Sequence, residues 1–169
     1  ILDENIGPID LDTDADIVGI TGYNLQASRM FELARQYRAR GKLVVFGGAC
    51  ATLCAQECAP HADVLVMGEA EYTWPRFIAD YRAGSWSCRY QEHGLVDLAS
   101  SPTPRWDLVA LEHAGIVPLQ TTRGCPFGCE FCDVILYLGR EVRLKSPDQV
   151  GAEIVALYPQ LEAARKFSV

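Results

Sequence analysis

The sequence predicts an α/β fold. A doubly wound parallel sheet occupies residues 1–91, and after a linker a second strand–helix unit begins at 116–169. Three observations lead there. In the first part, short runs of β-branched residues alternate with amphipathic stretches of helical length, the pattern of parallel strands joined by crossover helices. Residues 92–115 break that rhythm with prolines and serines. A new apolar run then leads into three closely spaced cysteines.

Taken in order, "IVGIT" (17–21) reads as a buried strand preceded by the turn-like "DTDAD". "LQASRMFELARQYRARG" places Ala27, Met30, Ala34 and Tyr37 on one helical face, with Gly41 as its stop. "KLVVFGG" is a second strand ending in Gly47 and Gly48, and "ATLCAQECA" a short helix ended near Pro60. "DVLVMGE" supplies a third strand, and "EAEYTWPRFIADYRAG" a helix ending at Gly84. In the linker, "DLASSPTPRWDLV" is extended, with Trp106 and Leu108 as apolar anchors. "IVPLQTT" is the strand of the second unit. "SPDQVGAEIVALY" opens a helix with Ser146 as N-cap, Pro147 in the first turn and Gln149 three residues after the cap. Internal repeats and low-complexity tracts are absent from the sequence.

Composition limits the function classes. The chain has 169 residues, enough for one ordinary domain or one small domain with part of another. Hydrophobic residues make up 49% and charged residues 22%, as in globular proteins. A net charge of −7 argues against nucleic acid or an anionic membrane as partner. No apolar run approaches the ~18 residues that a membrane span needs. "ILDENIGPID" lacks the basic and apolar regions of a signal peptide. Seven cysteines without such a leader predict a reducing, cytoplasmic setting, where cysteines more often bind metal than form disulfides. The missing initial Met and the helical character of "LEAARKFSV" predict a piece of a longer chain.

"RGCPFGCEFC" sets Cys125, Cys129 and Cys132 at C-x3-C-x2-C spacing. A structural zinc site wants four protein ligands, usually as paired knuckles, and no fourth Cys or His follows. Upstream, Cys88 and His113 are nearest and lack knuckle spacing. Three thiolates suit an iron–sulfur cubane with one iron left open for a ligand. Gly124, Pro126 and Gly128 suit a loop that turns tightly and aims its amides at sulfides. Zinc and unliganded cysteines are the competing readings.

The same segment resembles the cluster loop of the radical S-adenosylmethionine enzymes, including the aromatic Phe131 before the last cysteine. The resemblance implies that Cys125, Cys129 and Cys132 hold a [4Fe–4S] cluster whose free iron chelates S-adenosylmethionine, with Phe131 near the adenine. Electron transfer from a donor such as flavodoxin or ferredoxin then yields a deoxyadenosyl radical that abstracts hydrogen from substrate.

The first part gains meaning beside it. Doubly wound sheets bind ligands at the carboxyl ends of their strands. Here those turns are "TGYNLQ", "GGACAT" and "GEAEYTW", and none carries a G-x-G-x-x-G or Walker pattern, which argues against dinucleotides and nucleoside triphosphates. "ADIVGITGYNLQ", "VVFGGACAT", "VLVMGEAEYTWP" and the linker "SPTPRWDL" are similar to the cobalamin-binding domain and linker that precede the radical domain in one class of these enzymes. The implied fold is a flavodoxin-like cobalamin-binding domain lacking its first strand, with "ILDEN" as the end of the second. It is followed by the first strand, loop and helix of a radical-SAM partial barrel. The implied cobalamin contacts are Thr21, Gly22, Gly47, Gly48, Gly68, Glu69 and Glu71. The D-x-H-x-x-G loop of many cobalamin proteins is not in the sequence, and His61, His93 and His113 read as surface or linker residues.

Cys50, Cys54 and Cys58 form a second triplet at i, i+4, i+8. With no Gly–Pro loop to wrap a cluster they read as a buried helical stripe, and Cys88 as structural. No catalytic acid or base is assigned, because the cofactors would carry the chemistry. The extended match through "DVILYLGREVRLKSPDQV" looks most like the hopanoid- and lipid-modifying methyltransferase branch. The expected function is therefore cobalamin-dependent radical methyl transfer to an unactivated carbon of a small-molecule or lipid substrate. Cyclisation or rearrangement on the same architecture, a non-catalytic cobalamin- or metal-binding module without turnover by itself, and a redox or zinc sensor are the alternatives.

Overall fold

β-Branched and aromatic residues pack well on a pleated surface covered on both sides, and runs of them set the positions of the strands. The computed structural model describes residues 1–113 and 117–164. It contains two compact units that interleave along the chain: 11–96 with 124–141, and 1–10 with 97–123 and 142–169.

The larger unit is a four-stranded parallel sheet in the order β1 (Ile17–Thr21), β2 (Leu43–Gly47), β3 (Val64–Met67) and β4 (Arg89–Gln91). Between the strands run α1 (Ala27–Ala39), the short α2 (Gly48–Leu53) and α3 (Ala55–Cys58), and α4 (Ala70–Arg82). After the cysteine loop comes a single turn, α5 (Val134–Tyr137). This is the predicted α/β architecture of a parallel sheet with helices between its strands. The predicted strands at 17–21, 43–47 and 64–67 are all present.

The core explains their order. Val44, Val45 and Phe46 are buried, as is every residue of β3. Helix α1 lays Met30, Leu33, Ala34 and Tyr37 inward at i, i+3, i+4 and i+7, with Ala27 half-buried. Phe77 of α4 packs with Val45, Val64, Val66 and Tyr90, its ring 5.5 Å from the Tyr90 ring at an edge-on angle. Strand β4 is short, only its central Tyr90 is buried, and it lies in a stretch where sequence periodicity gave no strand. Tyr90 fixes it there by donating to Asp80 Oδ2 (2.8 Å) while Ser87 N–H donates to the phenol oxygen (3.0 Å).

In the smaller unit, β5 (Thr122–Arg123) pairs antiparallel with β6 (Arg143–Leu144), and α6 (Pro147–Ala163) follows. The strand expected over 116–122 is thus reduced to its last residue plus Arg123. Its first residue, Ile116, lies outside the described residues, and Pro118 has no N–H to donate. Residues 1–5, expected to end a strand, form none and turn at 4–6. The α6 cap is as expected: Ser146 Oγ accepts from Gln149 N–H at 3.1 Å, with Pro147 first in the helix. The Gln149 amide does not reach back to the cap. It donates instead to Leu98 O (2.8 Å) and Ser101 O (3.1 Å), tying the linker to the helix. Trp106 is half-buried and Leu108 exposed, so Trp106 is the stronger of the two predicted anchors. No helix among the described residues is long and apolar enough to cross a membrane.

This unit encloses a buried ion pair. Lys145 Nζ lies 2.5 Å from Glu153 Oε1, both side chains almost fully enclosed. Removing one partner of such a pair strands a charge and costs ~3–5 kcal/mol, whereas an apolar replacement of both is often neutral. Lys145→Met is therefore expected to lower the unfolding free energy by that amount, and adding Glu153→Leu to recover most of it. Chemical denaturation of the two variants measures both effects.

Candidate functional site

The site is built where the parallel strands end. β1, β2 and β3 run the same way, so their carboxyl-terminal turns lie side by side, and each predicted contact falls on one of them. Thr21 closes β1. Gly47 closes β2 in extended conformation, and Gly48 turns into α2 at φ +78°. A Cβ on Gly48 would collide with Thr21 Oγ1, so this turn admits only glycine and the threonine side chain lies directly over it. Gly68 follows β3 at φ +75°, and a Cβ there would meet nothing within 4 Å. Its backbone faces open space that a ligand could approach closely.

Not every predicted contact is equally available. Gly22 packs tightly: a Cβ there would lie 2.9 Å from Met30 Sδ and 3.0 Å from Gln26 Oε1, and its carbonyl accepts from Cys50 N–H. Those contacts explain the glycine without a ligand. Glu69 begins α4, and its Oε2 accepts from Val96 N–H at 3.1 Å, holding the chain after β4. Glu71 stands half-buried in the first turn of α4. Thr52, which the sequence reading did not single out, sits among these turns. It donates to Gly48 O at 2.7 Å and accepts from Gly68 N–H at 2.9 Å. A threonine four residues after the glycine pair is its sequence signal.

The cysteine loop belongs to the same compact unit as this sheet. Cys125 and Cys132 are half-buried and Cys129 exposed, and all three are free thiols. The loop is pinned at its base. Gly124 sits at φ +88°, where a Cβ would collide with Glu141 O, and Cys125 N–H donates to Gly139 O at 3.1 Å. Gly139, at φ +79°, is packed so that a Cβ would lie 3.1 Å from Leu95 Cδ2. Gly139 was not anticipated, being seven residues past the last cysteine. Phe131 is 89% exposed and Phe127 also projects outward.

The residues present fit a thiolate-bound cluster in donor type and in the glycine-closed turn that carries them. Among the described residues, however, no three Cys, His, Asp or Glu side chains are gathered closely enough to hold a metal ion, so the three sulfurs are not preassembled. Cobalamin fits the other half on geometry: Gly68 gives a ligand close access to backbone, beside the Gly48 turn that Thr21 covers.

The second cysteine triplet has a different environment. The helix expected over 51–59 breaks at Cys54 (φ −120°, ψ 42°), so only Cys50 and Cys58 remain buried together, their sulfurs 3.8 Å apart. Burial, reinforced by Cys50, pushes the Cys58 thiol up to about 12. Burial, with Cys50, Glu57 and Asp133 adding to it, also raises that of Cys54. His61 is less ordinary than expected: half-buried, its ring stacks 4.0 Å from that of Phe31. In the smaller unit, a cavity of about 570 Å³ is lined by Ser101, Trp106, Gln120, Lys145 and Glu153 among others. None of the predicted ligands lines it.

With that geometry in view, comparison with known proteins shows what the chain is similar to. Residues 10–78 match the family model of the B12 binding domain. Over those residues the chain is similar to B12 binding domains, and the relatives it matches are proteins named as methyltransferases. An uncharacterized methyltransferase of Synechocystis sp. is 37% identical over 85% of this chain and 27% of its own length. Bacteriochlorophyllide d C-8(2)-methyltransferase of Chlorobaculum tepidum is 31% identical over 94% of this chain and 35% of its own. Hopanoid C-2 methylase of Rhodopseudomonas palustris is 28% identical over 90% and 30%. The chain thus spans between about a quarter and about a third of the length of these relatives.

Solvent access separates exposed Cys88 and Cys129 from buried Cys50 and Cys58, and burial also opposes formation of the nucleophilic thiolate at Cys58. At pH 8 a thiol with its pKa near 12 is ionised in about one molecule in ten thousand. Alkylation by iodoacetamide at pH 8, read by peptide mass spectrometry, is expected to label Cys88 and Cys129 and to spare Cys50 and Cys58. Labelling of Cys58 should begin only as the pH climbs toward 12 or the fold opens.

Proposed function

We propose that this chain is part of a cobalamin-dependent radical S-adenosylmethionine enzyme that transfers a methyl group to an unactivated carbon. The observation that carries the reading is the presence, in one compact unit, of a B12 binding domain and a glycine-closed C-x3-C-x2-C loop. The names of the relatives support methyl transfer. Cys125, Cys129 and Cys132 would hold a [4Fe–4S] cluster and Phe131 would border S-adenosylmethionine. Thr21, Gly47, Gly48 and Gly68 would cradle cobalamin. Gly22, Glu69 and Glu71 join that cradle as the weaker members, since packing or the Val96 amide already engages the first two. When bound, the cluster supplies the electron that cleaves S-adenosylmethionine, and cobalamin carries the methyl group. The chain's own part is to hold the two cofactors, Gly124 and Gly139 shaping the base of the cysteine loop. An electron donor such as flavodoxin or ferredoxin, and a lipid or other small-molecule substrate, complete the proposal, placed in the cytoplasm. The boundaries that go with it are cobalamin domain 1–91, linker 92–115 and radical domain from 116.

Anaerobic reconstitution with iron and sulfide, followed by EPR of the reduced protein, tests this. A cubane signal perturbed by S-adenosylmethionine and abolished by each of Cys125→Ala, Cys129→Ala and Cys132→Ala is expected. Retained tetrahedral zinc with no cubane would overturn the radical reading and favour a zinc module.

A further inference from the structure

The hydroxyl of Thr52 bridges the turns after β2 and β3, and its chemistry suits that task. A hydroxyl offers one donor and two acceptor lone pairs. Here the donor goes to Gly48 O, the common bond of a helical threonine to the carbonyl four residues back. An acceptor pair takes the N–H of Gly68, sixteen residues further along the chain. Both partners are left-handed glycines, at φ +78° and +75°, so neither turn has a side chain of its own with which to hold its shape. Thr21 covers Gly48 from the β1 side. Thr21, Gly48, Thr52 and Gly68 therefore run as one connected row across the carboxyl ends of three adjacent strands. Anchoring the Gly68 N–H fixes the whole planar peptide between Met67 and Gly68. That peptide borders the open space above Gly68.

We infer that Thr52 is a positioning residue for the cobalamin site, setting the spacing and peptide orientation of the two glycine turns before the ligand arrives. This rests on the cobalamin reading above. Thr52 acts through Gly48 and Gly68, and its own donor and one lone pair are already committed to them.

The test uses the 169-residue chain, with hydroxocobalamin as probe and visible absorbance as the binding signal. Thr52→Val keeps the shape and removes the hydroxyl, while Thr52→Ser keeps the hydroxyl. Thr52→Val is expected to weaken binding about tenfold, the size of one lost hydrogen bond, and Thr52→Ser by no more than about threefold. In ¹⁵N–¹H spectra the Gly68 amide should shift in the valine variant and stay near its wild-type position in the serine variant. A shifted Gly68 amide with unchanged affinity in Thr52→Val would overturn the positioning role while leaving the cobalamin site intact. Absence of hydroxocobalamin binding by the wild type would instead remove the cobalamin reading itself, and this inference with it. If the valine variant does not fold, hydrogen exchange of the wild-type Gly68 amide decides. Slowing by hydroxocobalamin supports a turn pressed against the ligand, and an unchanged rate overturns it.

Discussion

Strands β2 and β3 are covered on both faces, and much of the larger unit follows from that enclosure. Their side chains go wholly to the core and their amides and carbonyls to the parallel ladders, which leaves nothing along their length to meet a ligand. Whatever this sheet binds must be met by the turns where the strands stop. The same enclosure makes those turns tight, because the chain must leave a packed layer and enter a helix within a residue or two. Gly48 and Gly68 solve this with left-handed backbone; Thr21 covers Gly48, while Gly68 faces open space. Structural necessity and ligand access thus meet at Gly68. Gly22 is glycine for a different reason: Met30 and Gln26 leave no room beside it.

Cysteine plays opposite parts in this molecule. Cys50 and Cys58 are enclosed, and at Cys58 burial favours the neutral thiol. Cys125, Cys129 and Cys132 stand in a loop with at least partial access to solvent. Packing around each thiol makes the difference. The α2–α3 break at Cys54 shows how local it is, since one non-helical residue takes the middle sulfur away from its two neighbours' enclosure. The cysteine loop, for its part, is pinned at the base by a backbone bond, Cys125 N–H to Gly139 O, with glycines at 124 and 139 because any side chain would strike Glu141 or crowd Leu95.

Much of the fold was legible because its signals are local. The three longer strands, α1, α4 and the Ser146 cap of α6 each announce themselves within a window of a few residues. The elements that were missed or misjudged depend on distant partners. Strand β4 exists because Tyr90 packs on Phe77 and bonds Asp80, and its own three residues carry no strand pattern. The run at 116–122 has strand composition, yet only its last residue joins a ladder. Gln149 had the spacing of a capping box, and the nearby carbonyls of Leu98 and Ser101 claimed its amide. Thr52 was invisible for the same reason, its second hydrogen bond crossing to another turn.

The sequence by itself determined the parallel α/β architecture, the glycine positions at the strand ends and the three thiols at 125, 129 and 132, because periodicity, backbone freedom and ligand spacing are all written in near neighbours. Tertiary structure alone decided which glycines face open space and which face a side chain, which cysteines are enclosed, and that one threonine links two turns. Those properties depend on residues brought together from far apart in the chain.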